Sequence, residues 1–351
     1  MSAEELDTDF ERVELPLEDA FTISRASQDV AENVVVTVSD GDYIGIGGAA
    51  PSPHYGETAA TVEAVLPDLL EVVERVGDPG ALAEIERATH ETVRENPAAR
   101  CAVSIACHDL VGKRLSLPLY RYWGLRADAP RTSYTIGLDP IDRMREKTEA
   151  ATEAGYEVLK VKLGTDASVD HDVEIVRAVR EAAPDATIRV DANEAWRPNE
   201  AVRAIRELAD AGVEFVEQPV SAEEPESLRF VHERSVLPIV ADESCVTLSD
   251  VPQVAERASI ANIKLMKCGG LQEAKRMIAA AHAHGLAVML GCMIESNASI
   301  AAAAHLAPLV EYADLDGSLL LAEDSYEGVS MPEGRIDLAG CDRPGTGALR
   351  P

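Results

Sequence analysis

The sequence lacks several features that would place it in a class at once. Its apolar runs are short, and none approaches the ~18 residues needed to span a bilayer. The stretch at 1–16 is acidic and has no basic start followed by an apolar segment, which is not typical of a signal peptide. None of the six cysteines forms a C-x-x-C pair, so we expect buried, reduced thiols. These absences predict a soluble, cytoplasmic protein without a membrane partner.

Positive charge is also scarce. Asp and Glu total 62 against 32 Lys and Arg, which gives a net charge of −30 and makes nucleic acid a poor partner. The apolar periodicity continues through the chain, so the charge does not indicate disorder. Only seven residues are lysine, a composition that resembles proteins of salt-loving microbes. This scarcity favours specific roles for the lysines that remain, among them Lys160, Lys162, Lys264 and Lys267.

The apolar pattern divides the chain into three parts. Residues 1–125 predict an α+β capping domain, with strands at 34–40 and 43–50 followed by helical periodicity. Residues 126–317 alternate short strands with amphipathic helices, which predicts an α/β domain with a barrel of eight strands and seven helices. A doubly wound sheet is disfavoured because no G-x-G-x-x-G follows the first strand. Residues 318–351 are irregular, and we expect them to return to the capping domain. The predicted barrel strands are 133–138, 157–164, 187–193, 215–219, 238–244, 261–267, 287–293 and 312–317.

Ionisable side chains follow nearly every predicted barrel strand. In a barrel, functional residues lie at the carboxyl ends of the strands, so these side chains should meet at one mouth. A purely structural barrel would not place so many charges there, because uncompensated buried charges are costly. The residues are Lys160, Lys162, Asp191, Asn193, Glu217, Asp242, Glu243, Lys264, Glu295, Asp314 and Asp316.

Three of these carboxylates predict a metal site. Asp191, Glu217 and Asp242 end three neighbouring strands, and they would repel one another unless a cation lay between them. Oxygen ligands without nearby His or Cys favour Mg²⁺ over Zn²⁺. The alternative is three unrelated acids on a very acidic protein.

Three lysines flank this site. Lys160 and Lys162 share the inward face of one strand, and two adjacent ammonium groups should lower the pKa of one of them. We predict Lys162 as the base and Lys160 as a neighbour that polarises a substrate carboxylate. Lys264 lies nearly across the barrel, so two lysines can serve opposite faces of one carbon, as a 1,1-proton transfer needs, while the metal stabilises the enolate. Lys267 is predicted to be structural, because its strand parity differs from that of Lys264.

Five motifs in order carry a family resemblance. KVKLG, RVDAN, VEQP, ADES and NIKLMKCGG resemble the muconate-lactonizing branch of the enolase superfamily, the mandelate racemase/muconate lactonizing enzyme family. The resemblance implies a modified (β/α)7β barrel with an α+β capping domain. It also implies Mg²⁺ held by Asp191, Glu217 and Asp242, with Lys162 and Lys264 as the acid/base pair. A non-catalytic relative would be expected to have lost one of these five groups, and all five are present.

The reaction within the family depends on fewer residues. Asp314 and Asp316 form a D-x-D that resembles the dipeptide epimerases, in which this pair holds the substrate's α-ammonium group. The segment at 293–296, which contains Glu295, resembles them as well. The alternatives are a muconate cycloisomerase or an o-succinylbenzoate synthase/N-acylamino acid racemase-type reaction with the same metal and lysines.

Several further residues are predicted around the substrate. Arg25 resembles an arginine that binds a substrate carboxylate in epimerases acting on Ala-Glu, and His54 and Tyr55 are predicted to line the pocket. Thr135 is predicted to contact the substrate. Asn193 and Glu243 are predicted to support the metal ligands or Lys264 from behind. Trp123 and Trp196 are predicted to pack, and the family resemblance implies a homo-oligomer.

Overall fold

The computed structural model describes residues 6–164 and 168–351; residues 1–5, which belong to the acidic stretch at 1–16, lie outside it. The first domain begins with an antiparallel sheet of β1 (Asp7–Ile23), β2 (Ala26–Ser39) and β3 (Ile44–Ala49), paired in that order. The predicted strand at 34–40 covers only the buried end of β2. The remaining ribbon of β1 and β2 was missed, because its residues are mostly exposed and show no apolar alternation.

Helices cover one face of this sheet. They are α1 (Ala59–Val76), α2 (Leu82–Thr92), α3 (Pro97–Arg114) and the short α4 (Leu119–Tyr122). Strand β3 lies against the backbone of α3, and a Cβ added at Gly47 would come within 2.1 Å of Ala102 O. Glycine therefore allows the sheet and the central helix to pack at backbone distance.

The second domain is the predicted barrel. Eight parallel strands pair in chain order, and an isolated bridge between Thr132 and Ala313 joins the last strand to the segment before the first. The seven connections between consecutive strands contain helices, so the fold is the expected (β/α)7β arrangement with a separate capping sheet. The strands are β4 (Tyr134–Ile136), β5 (Val158–Lys162), β6 (Thr187–Asp191), β7 (Val213–Glu217), β8 (Ile239–Ala241), β9 (Ile260–Lys264), β10 (Ala287–Gly291) and β11 (Tyr312–Asp314).

The longer barrel helices bury one apolar stripe each, as the sequence predicts. The barrel helices are α5 (Ile141–Glu153), α6 (Val169–Ala182), α7 (Pro198–Asp210), α8 (Pro225–His232), α9 (Val251–Val254), α10 (Leu265–Cys268), α11 (Leu271–Ala283) and α12 (Asn297–Ala304). Across the residues described, the helices are too short or too polar to cross a membrane.

The last segment of the chain contacts the capping domain. Glu18 N donates to Leu320 O and Ala322 N donates to Pro16 O, which fixes the segment against β1. Further on, Thr346 N donates to Asp109 Oδ1 on α3 at 2.7 Å. The last segment is therefore bound to the capping domain at both β1 and α3.

Candidate active site

A cavity of about 640 Å³ lies where the barrel mouth meets the capping domain. The carboxyl ends of the barrel strands form its floor. The turn between β1 and β2 and the loop at 51–55 form its roof. The predicted residues that line it are Arg25, His54, Tyr55, Thr135, Lys160, Lys162, Asn193, Asp242, Lys264, Asp314 and Asp316.

The three predicted metal ligands lie together at the ends of β6, β7 and β8. Asp191 and Glu217 are paired across neighbouring strands, and Asp242 directly follows β8. Their exposure is 0%, 0% and 1%, so all three are buried. Each oxygen faces a cation or an amide: Asn262 Nδ2 donates to Glu217 Oε1 at 2.6 Å, and lysines contact the two aspartates.

The charges of this cluster are unevenly balanced. Burial tends to raise the pKa of Asp191, but Lys162 and Lys160 outweigh it and hold that pKa below its usual range. For Asp242 burial also tends to raise the pKa, but Lys264 and Lys267 outweigh it and hold that pKa below its usual range. Burial, followed by repulsion from Asp191, raises the pKa of Glu217 to about 7. The cluster thus retains mutual repulsion that a further cation would relieve.

This donor set fits a hard divalent cation. The three ligands are carboxylates on adjacent strands, and the nearest side chains are lysines, asparagines and further acids, not thiols. Carboxylate oxygen is the ligand that Mg²⁺ prefers. Asp191, Glu217 and Asp242 would therefore hold Mg²⁺ at the floor of the cavity.

Lys160 lies deepest of the three lysines. Its Nζ is 2.7 Å from Glu217 Oε2, 2.7 Å from Asp314 Oδ2 and 3.2 Å from Asp191 Oδ2. Burial lowers its pKa, but these three carboxylates outweigh burial and raise the pKa well above the usual value. The sequence predicts that a second ammonium lowers the pKa of one of the two neighbouring lysines. The pKa of Lys160 is not lowered, because the acids around it dominate.

Lys162 and Lys264 face each other across the barrel. Lys162 Nζ donates to Asp191 Oδ2 at 2.6 Å, and Lys264 Nζ donates to Asp242 Oδ2 at 2.8 Å. They stand on β5 and β9, which are separated by three strands in an eight-stranded barrel. Four strand steps of eight are half of the circumference, so the two ammonium groups approach the cavity from opposite sides.

Three residues support the predicted metal ligands from behind: Lys267, Asn262 and Gln218. Lys267 Nζ donates to Asp242 Oδ1 at 2.6 Å and to Asn262 O at 3.0 Å, which ties α10 to the carboxylate. Asn262 and Gln218 were missed by the sequence argument. Gln218 Oε1 accepts from Asp242 N at 2.9 Å. Strand parity with Lys264 could have identified Asn262, since residues two apart on β9 share one face.

The D-x-D pair lies on the other side of Lys160. Asp314 Oδ1 accepts from Ser133 Oγ at 2.5 Å, and Asp316 Oδ2 accepts from the backbone N of Thr135 at 2.6 Å. Burial, followed by repulsion from Asp314, raises the pKa of Asp316 to about 6. Lys160 and Ser133, acting against burial, lower the pKa of Asp314. Both carboxylates line the cavity, where they can attract a cationic group.

Arg25 reaches the barrel from the capping domain, but it is not a free cation. Its Nη2 donates to Glu243 Oε1 at 2.6 Å, and its Nη1 donates to Asn193 O at 3.2 Å. Glu243, which is predicted to orient Lys264 or a metal ligand, binds Arg25 and also accepts from Asn193 Nδ2 at 3.5 Å, so its support of Lys264 stays a prediction. Asn193 does contact a predicted metal ligand, since its backbone N donates to Asp191 Oδ1 at 2.9 Å.

A second group of possible metal ligands lies at the rim. One ligand atom each of His54, Glu194 and Glu243 lies within 4.8 Å of the other two. The corresponding atoms of Asp191, Glu217 and Asp242 are not grouped so tightly. Arg25 already contacts both glutamates of this rim group, at 2.6 and 3.5 Å. A cation therefore stands beside the rim group, and the floor carboxylates remain the better-suited donors.

Glu295 lies apart from the other predicted residues. Its Oε1 accepts from Met293 N at 2.8 Å and its Oε2 accepts from Ser299 Oγ at 2.6 Å. It does not line the cavity, and burial raises its pKa to about 7. Its role in substrate binding stays a prediction, because in this structure the carboxylate turns back to order its own loop before α12.

The two tryptophans pack, as predicted. Trp196 is 5% exposed and its Nε1 donates to Asp172 Oδ2 at 2.7 Å. Trp123 packs against the core, and Lys275 Nζ lies 4.9 Å from its ring centroid. All six cysteines are free thiols.

Two family models match the chain. Residues 7–124 match the mandelate racemase/muconate lactonizing enzyme N-terminal domain, and residues 143–348 match the enolase C-terminal domain-like family. A protein named L-Ala-D/L-Glu epimerase from Bacteroides thetaiotaomicron is 39% identical over 96% of this chain and 86% of its own length. One named L-Ala-D/L-amino acid epimerase from Maribacter sp. is 38% identical over 91% of this chain and 92% of its own.

Solved structures of epimerases share the fold of this chain. A dipeptide epimerase from Enterococcus faecalis, complexed with Mg and L-Leu-L-Tyr, superposes with a TM-score of 0.89 at 33% identity and covers 97% of this chain and 98% of its own. The L-Ala-D/L-Glu epimerase from Bacillus subtilis, in a substrate-liganded complex, superposes with a TM-score of 0.90 at 31% identity, and 98% of each chain is covered.

Proposed function

The chain belongs to the mandelate racemase/muconate lactonizing enzyme family of the enolase superfamily, and on that premise we propose that it is a Mg²⁺-dependent dipeptide epimerase. It is an isomerase that inverts an α-carbon by 1,1-proton transfer. The observation that carries this proposal is the pair Asp314 and Asp316, which line the same cavity as two opposed lysines. Relatives with epimerase names and structures with Mg and bound dipeptides support the same reaction.

The lysines perform the proton transfer. Lys162 and Lys264 reach the cavity from opposite sides, so an α-carbon between them presents one face to each ammonium or amine. One lysine takes the proton as a base, and the other returns a proton to the opposite face. Asp191 and Asp242, which accept hydrogen bonds from these lysines, hold each Nζ in place.

The metal would be held by Asp191, Glu217 and Asp242. When bound, Mg²⁺ supplies positive charge that stabilises the negative charge developing on the substrate carboxylate as the α-proton leaves. Asn262 and Lys267 keep two of these carboxylates oriented from behind. The floor is buried, so these contacts act with little screening by water.

The two ends of the substrate are held by groups of opposite charge. The α-ammonium binds at Asp314 and Asp316, whose carboxylates face the cavity. The substrate carboxylate lies toward the metal ligands and Lys160, the lysine whose contacts keep it protonated. Thr135 helps to place the ammonium end, because its backbone N fixes Asp316. These contacts set the α-carbon between Lys162 and Lys264.

Exchange of the α-proton with solvent tests this function. Dipeptides incubated with the enzyme in D₂O should incorporate one deuterium, as read by mass spectrometry, and EDTA should stop it. The Asp314→Asn/Asp316→Asn double variant should lose exchange on dipeptides. Turnover of muconate or N-acylamino acids that survives this double substitution, with no exchange across a dipeptide library, would instead support the cycloisomerase or N-acylamino acid racemase-type alternative.

The surroundings of the enzyme are part of the proposal. The net charge of −30 supports a halophilic protein that associates with neither nucleic acid nor anionic membranes, and six free thiols support a reducing cytoplasm. We also propose a homo-oligomer, because members of this family often form symmetric assemblies. The melting temperature should rise with KCl, because added salt screens the self-repulsion of the acidic surface. A flat curve would contradict the halophilic assignment.

A further inference from the structure

A second cavity adjoins the first. It has a volume of about 320 Å³ and lies between the end of β1, strand β4 and helix α5. Phe21, Thr135 and Leu320 line both cavities and therefore form the partition between them. The groups that perform the proposed proton transfer line the first cavity, so the second is free for another use.

Aromatic side chains form one wall of the second cavity, and small side chains form its floor. The rings of Tyr134 and Tyr156 lie with centroids 4.4 Å apart, and Phe21 completes the aromatic wall. Ala150 on α5 and Ala154, which directly follows that helix, contribute methyl groups that leave the space open. This lining suits an apolar or aromatic group.

Three charged side chains line this cavity, Glu18, Asp19 and Lys147, and two of them, Asp19 and Lys147, are already paired. Asp19 lies 3.4 Å from Arg143 Nη2 and 3.9 Å from Lys147 Nζ. Lys147 Nζ in turn lies 2.9 Å from Asp139 Oδ2. A charged ligand would have to compete with these ion pairs, whereas an apolar one would leave them intact.

Asp316 connects the two cavities. Its carboxylate accepts from Thr135 N at 2.6 Å, directly at the partition. The charge of Asp316 also acts on the second cavity. Burial, followed by the charge of Asp316, raises the pKa of Tyr134 to about 12, and the same two causes raise the pKa of Tyr156. A substrate ammonium bound at Asp316 would therefore place the α-carbon of the dipeptide's first residue near Thr135, which belongs to the partition.

We propose that the second cavity receives the side chain of the dipeptide's first residue and selects apolar or aromatic side chains there. The inference rests on the proposed function, because the ammonium at Asp316 aims that side chain at the partition. Ligand pockets range from about 300 to 1,000 Å³, so this cavity is at the small end and takes one side chain, not a further peptide unit. Phe21 and Leu320 are then specificity-determining residues.

Filling the second cavity tests the proposal. Ala150→Leu places extra volume in it from a solvent-exposed position of α5, and Glu149→Leu is the matched control on the same exposed helix outside the lining. Deuterium incorporation is measured for Gly-, Ala-, Leu- and Phe-first dipeptides with one common second residue. Ala150→Leu should lower kcat/KM for Leu- and Phe-first dipeptides by about tenfold or more, while Gly-first dipeptides and the control stay near wild type.

Opening the partition is the opposite test. Phe21→Ala should raise the ratio of kcat/KM for Phe-first over Gly-first dipeptides. If wild type exchanges Gly-first dipeptides but rejects bulky first residues, or if neither variant changes that ratio, the inference is overturned and the proposed function stands. If wild type exchanges no dipeptide in the series or in a wider library, the proposed function itself fails.

Discussion

The floor and the roof of the active-site cavity are built differently. On the floor, Lys160, Asp242 and Asp191 are at most 2% exposed, and each has two or more charged partners. On the roof, the side chain of Arg25 is 30% exposed and contacts the barrel through Glu243, Glu194 and a backbone carbonyl. The floor is fixed by neighbouring strands, whereas the roof depends on a turn. We therefore expect floor substitutions to abolish chemistry and roof substitutions to alter binding.

The largest effect should come from Asp242→Asn. This change removes the carboxylate charge that Lys264 and Lys267 share, and Lys267 is fully buried. Breaking a buried pair on one side costs about 3–5 kcal/mol, so we expect a clear loss of unfolding free energy in denaturant titrations. Mg²⁺ binding in calorimetry should also be lost, and kcat/KM should fall by at least about 10⁴-fold, the upper range for losing acid–base catalysis alone.

A matched control separates this effect from charge loss in general. Asp128→Asn alters an acid whose side chain is 83% exposed and pairs with Arg126 at the surface. Its stability should change by no more than about 0.5 kcal/mol, with normal turnover. Equal stability and Mg²⁺ affinity for the two variants would remove the distinction between floor and surface.

A smaller effect is expected at Asp316. Its pKa of about 6 means that the carboxylate is ionised above pH 6 and becomes neutral as the pH falls through that value. Because only the ionised form attracts the substrate ammonium, kcat/KM of wild type should decline below about pH 6. Asp316→Asn should lower kcat/KM roughly 10- to 100-fold, as expected for losing a hydrogen bond to a charged group.

The shape of the pH profile is the decisive comparison. Asp316→Asn should also lose the acid limb near pH 6, and Glu149→Gln, an exposed acid on α5, should keep it. An unchanged limb in the Asn variant would assign that titration to another group on the floor.

The smallest effect should come from the roof. Arg25→Met removes an ion pair whose arginine is partly exposed and which lies outside the carboxylates and lysines of the floor. We expect KM to rise less than about tenfold, with kcat nearly unchanged, in steady-state assays of both acidic and apolar dipeptides. If only dipeptides with an acidic second residue were affected, and by 100-fold or more, Arg25 would bind the substrate carboxylate directly.

The floor could be predicted from the sequence for a physical reason. Parallel strands place their carboxyl ends at one mouth, and alternation fixes which residues point inward. These two rules locate Asp191, Glu217, Lys162 and Lys264 without any knowledge of loops. They also predict the eight strands, because the barrel strands are short apolar runs bounded by helices.

The remaining features depend on contacts between distant parts of the chain. The bond from Arg25 to Glu243 joins residues 218 positions apart, and the pairing of Lys160 with Asp314 spans 154. Glu295 follows β10 at the expected place, yet its carboxylate turns back to Met293 N. The solvated half of the β1–β2 ribbon has no apolar alternation to predict it. Loop geometry decides these cases, and local sequence does not specify it.

The central claim is that Lys162 and Lys264 serve opposite faces of one α-carbon. Its most direct test follows deuterium exchange of two dipeptide epimers, separately, in D₂O with Lys162→Ala and Lys264→Ala. Each variant should fail to epimerise but should still exchange the α-proton of one epimer, and the epimer should differ between the two variants. Exchange of the same epimer by both variants, or of both epimers by either one, would contradict the account.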